Sequence, residues 1–151
     1  MKRHPRWVRR FIDDPNLEAI ARAVAEAERA TSAEIRIHLD HRCPGDPMAR
    51  AVALFERLGM HRTAERNGVL IYLAIASRKL AVIGDRAIHA RVGDEYWRRV
   101  VDAMVGHLRE ERPRDGLVDA VRELAAVLQA HFPRRPDDDN ELSNEVSLGD
   151  R

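Results

Sequence analysis

Apolar residues recur every three or four positions in four segments of the chain, which is the period of an amphipathic α-helix. The segments 15–30 and 47–58 each follow an aspartate and begin with proline, the pair that caps and opens many helices. A third segment begins at Asp94, where the aspartate is the expected cap, and a fourth ends at Pro133. Residues 86–93 do not show this helical spacing of apolar residues. The pattern therefore predicts four helices, with a loop before the third.

Two other patterns predict strands. In "SAEIRIHLD", residues 32–40, apolar and polar residues alternate, which is typical of a strand with one buried face. The segment 69–76, VLIYLAIA, is apolar throughout, so it should be a strand that is covered on both faces. Residues 80–83 return after "SRK" as the second arm of a hairpin.

The order of these elements defines the expected fold class. It is helix, strand, helix, strand, strand, helix, helix. A strand-helix-strand unit has a right-handed crossover, which makes its two strands parallel. We expect an α/β fold with a small mixed sheet, in which a parallel β-α-β unit is joined by one antiparallel hairpin strand, sandwiched between α-helices. We expect the domain boundaries to be 1–30 for a basic arm and helix, 31–133 for the α/β domain, and 134–151 for an acidic tail.

Composition narrows the class of protein. The chain has 151 residues and a formal net charge of +1, so nothing calls for nucleic acid as a partner. Residues 1–12 hold five basic residues and no acidic one, which suits contact with an anionic surface or simple solvation. With no apolar run long enough for a signal peptide or a membrane span, we expect a cytoplasmic protein.

The two ends of the hairpin carry candidate binding residues. Asn67-Gly68 precedes the apolar strand and Gly84-Asp85 follows its partner. A tight turn near residues 77–79 would place both dipeptides at one end of the hairpin, about four or five residues out of register. Glycines there let a ligand approach the backbone, and carboxylates with an asparagine carbonyl suit Ca²⁺ or Mg²⁺.

Two further residues lie close to this end in sequence. Asp94 stands at the expected start of a helix, where free amide groups favour anions such as phosphate, and His89 lies in the loop before it. Each of these residues also has a purely structural interpretation, as a turn, a cap or a strand terminator. A zinc site from His38, His41 and Cys43 is disfavoured, because two histidines three apart on a strand point to opposite faces.

The string "RNGVLIYLAIASRKLAVIGDRAIHARVGD" resembles the centre of the TPM domain family, which is known from thylakoid-lumen and photosystem II repair proteins. "TSAEIRIHL" is similar to the first strand of that family and "ALFERLGM" to its crossover helix. The resemblance covers about residues 31–133 and implies a compact α/β sandwich. Family members include phosphatases of modest activity, cation-binding domains and membrane-tethered modules. The lack of a tethering helix implies a cytoplasmic bacterial branch.

Two departures from the family pattern affect the implied site. Arg66 stands where the family has an acidic residue before Asn-Gly, and the segment from Gly84 to His89 lacks the second glycine and the glutamate. If the site binds a ligand, we expect Asn67, Gly68, Gly84, Arg66 and Arg86 to contact it, with Arg86 or Arg66 meeting a phosphate group.

Three functional hypotheses remain at this point. The favoured one is a non-catalytic module that binds a ligand or a protein partner. The alternative is a weak, divalent-metal-assisted phosphatase acting on phosphate monoesters. In that enzyme Asp85 and Asp94 would hold Ca²⁺ or Mg²⁺, and His89 would be the general acid. The third is a binder of anionic surfaces that uses residues 1–12.

Overall fold

The computed structural model describes residues 3–134 and 146–149, and it contains five helices and four strands in this part of the chain. In chain order they are α1 (Arg6–Arg9), α2 (Asp14–Ala30), β1 (Ile35–Asp40), α3 (Pro47–Arg57), β2 (Val69–Ala74), β3 (Lys79–Gly84), α4 (Arg86–Arg109), α5 (Pro113–His131) and β4 (Ser147–Leu148), with a short 3-10 helix at Met60–Arg62. Most of the predicted acidic tail lies outside the described residues.

The sheet has the predicted mixed topology. Its strand order is β3-β2-β1-β4, with β1 parallel to β2 and to β4, and with β2 antiparallel to β3. The α/β prediction with a parallel β-α-β unit and one antiparallel hairpin strand is therefore confirmed. The strand β4 was not predicted, because two residues in a polar tail carry no alternation pattern.

Helices cover both faces of the sheet. One face packs against α2, α4 and α5 in a large core that includes Ile71, and the other packs against α3 in a smaller core around Tyr72. All six residues of β2 are buried. The unbroken apolar run in this strand thus reflects burial on both faces, as the sequence indicated.

Local capping explains where α2 and α3 begin and end. Asp13, rather than the predicted Asp14, caps α2 by accepting a hydrogen bond from the Asn16 amide at 3.0 Å. Asp46 caps α3 and Pro47 follows it, as the sequence predicted. After α3, Gly59 has a φ of 74°, a left-handed conformation that glycine adopts without strain.

The largest difference from the prediction lies before Asp94. Residues 86–92 are helical, and they continue into the rest of α4 through a kink at Gly93, where φ is 77° and ψ is 173°. Asp85 is the cap of this helix, through a 2.7 Å hydrogen bond from the Arg86 amide. The segment was predicted as a loop because its arginine, alanine and histidine residues leave the helical stripe short of apolar positions.

The amino-terminal arm is packed against the domain. Val8 and Ile12 are fully buried in the large core, and the ring of Trp7 lies 5.4 Å from the ring of His41. The His4 side chain pairs with Asp14 at 2.8 Å. The described part of the arm is therefore a structural element of the fold, joined to it by apolar side chains.

Candidate functional site

The two dipeptides at the hairpin end meet directly. The hairpin pairs Val69 with Gly84, and the Asp85 amide donates a 2.8 Å hydrogen bond to the Gly68 carbonyl. No offset of four or five residues separates them, because the turn between the strands is formed by residues 75–78 and pairs Ala74 with Lys79. The glycines and polar residues singled out from the sequence are thus close neighbours.

Arg66 and Asp85 form a two-point ion pair. Arg66 Nε lies 2.8 Å and Nη2 3.0 Å from the two carboxylate oxygens of Asp85. One of those oxygens also accepts the hydrogen bond from the Arg86 amide, and in this way Asp85 caps α4. Both oxygens of Asp85 are therefore engaged within the protein, and a cation would have to compete with Arg66 for them.

Asn67 is buried beside polar groups of two neighbouring segments. Its Nδ2 donates to Ser32 Oγ at 3.3 Å and to Glu65 Oε2 at 3.1 Å. Its Oδ1 is buried and has no hydrogen-bond partner in the described part of the chain. A buried carbonyl oxygen without a partner costs free energy, so this atom is a candidate ligand atom.

Three of the four other predicted residues lie along a groove. Gly84, His89 and Asp94 line it together with Trp97, whereas Arg86 is exposed and does not line it. Trp97 Nε1 donates to His89 Nδ1 at 3.0 Å, so the neutral imidazole carries its proton on Nε2. That nitrogen lies 3.5 Å from a carboxylate oxygen of Asp94.

Gly84 allows the indole of Trp97 to cross the end of β3. A Cβ atom at position 84 would lie 2.3 Å from Cζ2 of Trp97 and 2.9 Å from Cγ2 of Ile88. Gly84 is therefore needed so that the Trp97 side chain can pack closely against the backbone. The approach of a ligand to this backbone stays a prediction.

The groove itself has a volume of about 530 Å³ and runs along β3 between α3 and α4. One wall is formed by Pro47 and Met48, and the other by Trp97, Arg98 and Val101. Its floor is β3, an edge strand of the described sheet. Trp97 and Met48 were not identified from the sequence, because aromatic and methionine residues at helical spacing are usually core residues.

The floor of the groove carries unused hydrogen-bonding groups. Since Gly68 pairs with Asp85, the alternation of an antiparallel ladder directs the backbone groups of Lys79, Ala81 and Ile83 toward β2. The amides and carbonyls of Leu80, Val82 and Gly84 therefore face the open edge. These groups make no other hydrogen bonds within the described residues.

The two predicted cation ligands, Asp85 and Asp94, each have a partner within the protein. Within residues 3–134 and 146–149, no group of three or more histidine, cysteine, aspartate or glutamate side chains is placed to hold a metal ion. The Asp94 side chain is 88% exposed and pairs with His89, while Asp85 pairs with Arg66.

A second polar cluster lies at the opposite end of the sheet, where β1 ends. His38 Nε2 lies 2.8 Å from Asp40 Oδ1, and the hydroxyl of Tyr72 donates to Asp40 at 2.7 Å. Arg50 donates from Nε at 2.9 Å to the same carboxylate. Burial alone would raise the pKa of Asp40, but hydrogen bonds from Arg50, Tyr72 and His38 hold it below its ordinary value.

His38 also holds the carboxyl-terminal segment. Its Nδ1 lies 2.9 Å from the hydroxyl of Ser147, in β4. Burial lowers the pKa of His38. Because the Nε2–H group of the neutral ring donates to Asp40, Nδ1 accepts a hydrogen bond from the hydroxyl of Ser147. Part of this cluster could have been predicted from the sequence, because His38 and Asp40 are two residues apart and share one face of the strand. Its partners Arg50 and Ser147 are distant in sequence.

The fold and groove together define a class. The protein is a small α/β sandwich with an apolar groove along the open edge of its hairpin. No helix in the described part of the chain is long and apolar enough to cross a membrane.

The chain belongs to the TPM domain family, whose model matches residues 9–127. It is similar to the BA42 protein of the psychrophilic bacterium Bizionia argentinensis, known from an NMR structure, with 35% identity. That match covers 89% of this chain and 93% of BA42, with a TM-score of 0.83.

The fold is also similar to the amino-terminal domain of a protein from P. gingivalis. Identity is 18%, the match covers 83% of this chain and 82% of that domain, and the TM-score is 0.67. None of the curated proteins matches the chain.

Proposed function

We propose that this TPM domain is a non-catalytic module that binds an extended segment of a partner protein along β3. The observation that carries the proposal is the open edge of β3 at the floor of an apolar groove. A partner strand there would gain main-chain hydrogen bonds from Leu80, Val82 and Gly84. Its side chains would alternate between the wall at Met48 and the wall at Trp97.

A single extended segment suits this edge better than a second copy of the domain. Ala81 and Val82 are 4% and 2% exposed although they belong to an edge strand, so the edge is recessed between α3 and α4. Two recessed edges cannot approach each other without a collision of their helices. A strand of about six residues, some 20 Å long, matches the length of β3.

Other residues of the predicted site support the module by shaping the groove. The Arg66–Asp85 pair fixes the start of α4, and Gly84 lets Trp97 lie across the end of the strand. His89 is held by Trp97 and faces Asp94, and both remain accessible from the groove. In this proposal these two side chains contribute polar contacts to the partner.

Two matched variants test the proposal. Met48 and Val52 are the exposed large apolar residues of α3, at 43% and 44%, but only Met48 lines the groove. Peptides of about 12 residues would be selected from a random library on the wild-type protein, and their affinities measured by fluorescence anisotropy. We expect Met48→Lys to weaken binding about tenfold, because the ammonium group would be desolvated against an apolar partner.

Val52→Lys should change the affinity less than about twofold. Equal effects of the two substitutions would contradict the proposal, as would a selection that yields no peptide dependent on the groove. Self-association of the wild-type protein that is lost in Met48→Lys would instead assign the groove to a second copy of the chain.

A divalent-cation-assisted phosphatase is the second candidate, favoured by the unpartnered Oδ1 of Asn67. Glu65 and Ser32 supply further oxygen atoms beside it, a set that suits Ca²⁺ or Mg²⁺ but holds a single carboxylate. Any such cation would bind weakly. If this candidate is correct, Mg²⁺ should raise the thermal midpoint of the wild type but not of Glu65→Gln, and a phosphate monoester should be hydrolysed.

A further inference from the structure

The cluster at the end of β1 opens into a second cavity, of about 400 Å³, on the opposite side of α3 from the β3 groove. It lies at the carboxyl end of a strand that is parallel to both its neighbours, a position where α/β sheets commonly bind ligands. Its walls are formed by α3, by the loop after β1 and by residues 147–149. None of the residues predicted from the family resemblance lines it.

The charge of this cavity is strongly positive. Arg42, Arg50 and Arg57 line it, and Asp40 is the single carboxylate among the described residues that line it. The side chains of these described residues carry a net charge of +2 when His38 is neutral. Arg42 and Arg57 are exposed and form no hydrogen bond or ion pair within the described residues. Two guanidinium groups are therefore available to an incoming anion.

The floor of the cavity is buried and already hydrogen-bonded. His38 and Asp40 are 3% and 5% exposed, and Tyr72 is fully buried. Asp40 binds Nε and Nη2 of Arg50, which leaves Nη1 of that guanidinium without a hydrogen bond in the described structure. The carboxylate thus orients the guanidinium group of Arg50 and leaves its Nη1 free to donate to a ligand.

The remaining surface indicates what the rest of the ligand must be. Leu54, Leu58 and Pro44 provide apolar walls next to the charged groups. A volume of about 400 Å³ lies within the usual range for small-molecule sites, roughly 300–1,000 Å³, and exceeds what a free inorganic ion needs. A ligand that fills this cavity would therefore be an organic molecule with a compact, doubly charged group.

We propose that Arg42, Arg50 and Arg57 form a binding site for a small organic dianion, at the carboxyl end of β1. A phosphate monoester and a dicarboxylate share this chemistry, since both present paired oxygen atoms to guanidinium groups. The site is separate from the β3 groove and needs no metal ion. Its ligand would contact α3 on one side and the segment around Ser147 on the other.

Calorimetric titration of the full chain tests this site with four probes: phenyl phosphate, inorganic phosphate, succinate and acetate. We expect phenyl phosphate, succinate or both to bind with a Kd of about 1 mM or tighter, and acetate about tenfold more weakly. A preference for phenyl phosphate identifies a phosphate ester, and a preference for succinate identifies a dicarboxylate. Inorganic phosphate that binds as tightly as the organic dianions would overturn the assignment of an organic ligand.

Arginine variants locate the site. Arg42→Gln and Arg57→Gln should each weaken binding about tenfold, and the double variant should abolish it. Arg91→Gln removes the same charge from exposed α4, on the other face of the sheet, and should leave the affinity within about twofold. The amide NMR signal of Gly149 should shift with the ligand in the wild type, since this residue lines the cavity.

Three further results would overturn the proposal. They are no dianion binding at about 10 mM, equal weakening by all three single variants, or binding without a change at Gly149. Because both arginine side chains are exposed, the variants should fold, and their thermal midpoints serve as the check.

Discussion

Gly84→Ala is the substitution for which the geometry of the groove gives the sharpest expectation. The new methyl group would lie 2.3 Å and 2.6 Å from two carbons of the Trp97 ring and 2.9 Å from Ile88. Distances this short require the indole to move, and that movement would break its 3.0 Å hydrogen bond to His89. The backbone at position 84 is an extended strand, which alanine adopts as well as glycine does. The expected loss of stability therefore comes from the steric clash alone.

The expected loss of unfolding free energy is about 2–3 kcal/mol, the upper part of the range for overpacking, because a rigid ring and a buried isoleucine both oppose the methyl group. For a domain of this size that corresponds to a fall in thermal midpoint of roughly 5–10 °C. Urea unfolding monitored by circular dichroism measures the free energy, and differential scanning calorimetry measures the midpoint.

Two further variants separate the clash from a general effect of replacing glycine. Gly106 lies in α4 with no atom near its Cβ position, so Gly106→Ala should stabilise the protein by about 0.5–1 kcal/mol. In a Trp97→Leu background, Gly84→Ala should lose most of its penalty, since the clashing ring is gone. A loss below about 0.5 kcal/mol in the wild-type background, or additivity with Trp97→Leu, would refute the reasoning.

Two predictions concern buried titratable groups. Burial raises the pKa of Glu28 to about 9, so the folded state holds a proton that the unfolded state releases near pH 4.5. The wild-type protein therefore loses unfolding free energy as the pH rises toward 9. In urea titrations, the unfolding free energy of Glu28→Gln should rise by about 1 kcal/mol or more relative to that of wild type between about pH 5 and pH 8. A constant difference would contradict the burial of a protonated Glu28. Burial lowers the pKa of His38, so here the unfolded chain binds the proton more tightly and stability is lost as the pH falls through 6.5. The advantage of wild type over His38→Gln should shrink between about pH 7.5 and pH 5.5, and an advantage that grows would show the opposite shift.

The sheet could be predicted from local patterns because burial leaves a direct trace in sequence. The alternation in residues 35–40 and the unbroken apolar run from Val69 both correspond to strands with the expected neighbours. The start of α4 could not be predicted in this way. Its cap, Asp85, is recognisable only once the hairpin register brings it beside Gly68 and Arg66.

The residues of the candidate sites differ in the same way, since only those close together in sequence could be predicted. The sequence grouped Gly84, His89 and Asp94, and the structure places all three along one groove. It could not supply Met48, which reaches the groove from another helix, or the arginines that converge from the loop after β1 and from α3. These residues are far apart in sequence and meet only through tertiary packing. No local spacing in the sequence indicates that they are neighbours.

Amide hydrogen exchange tests the central claim that β3 receives a partner strand. In the free protein the amides of Leu80, Val82 and Gly84 should exchange quickly, because they face the open edge, while those of Ala81 and Ile83 are protected by β2. Saturation with a peptide selected on the wild-type protein should slow exchange at the three outward amides and leave the inward ones unchanged. A peptide that binds without protecting Leu80, Val82 and Gly84 would show that the edge of β3 is not the partner site.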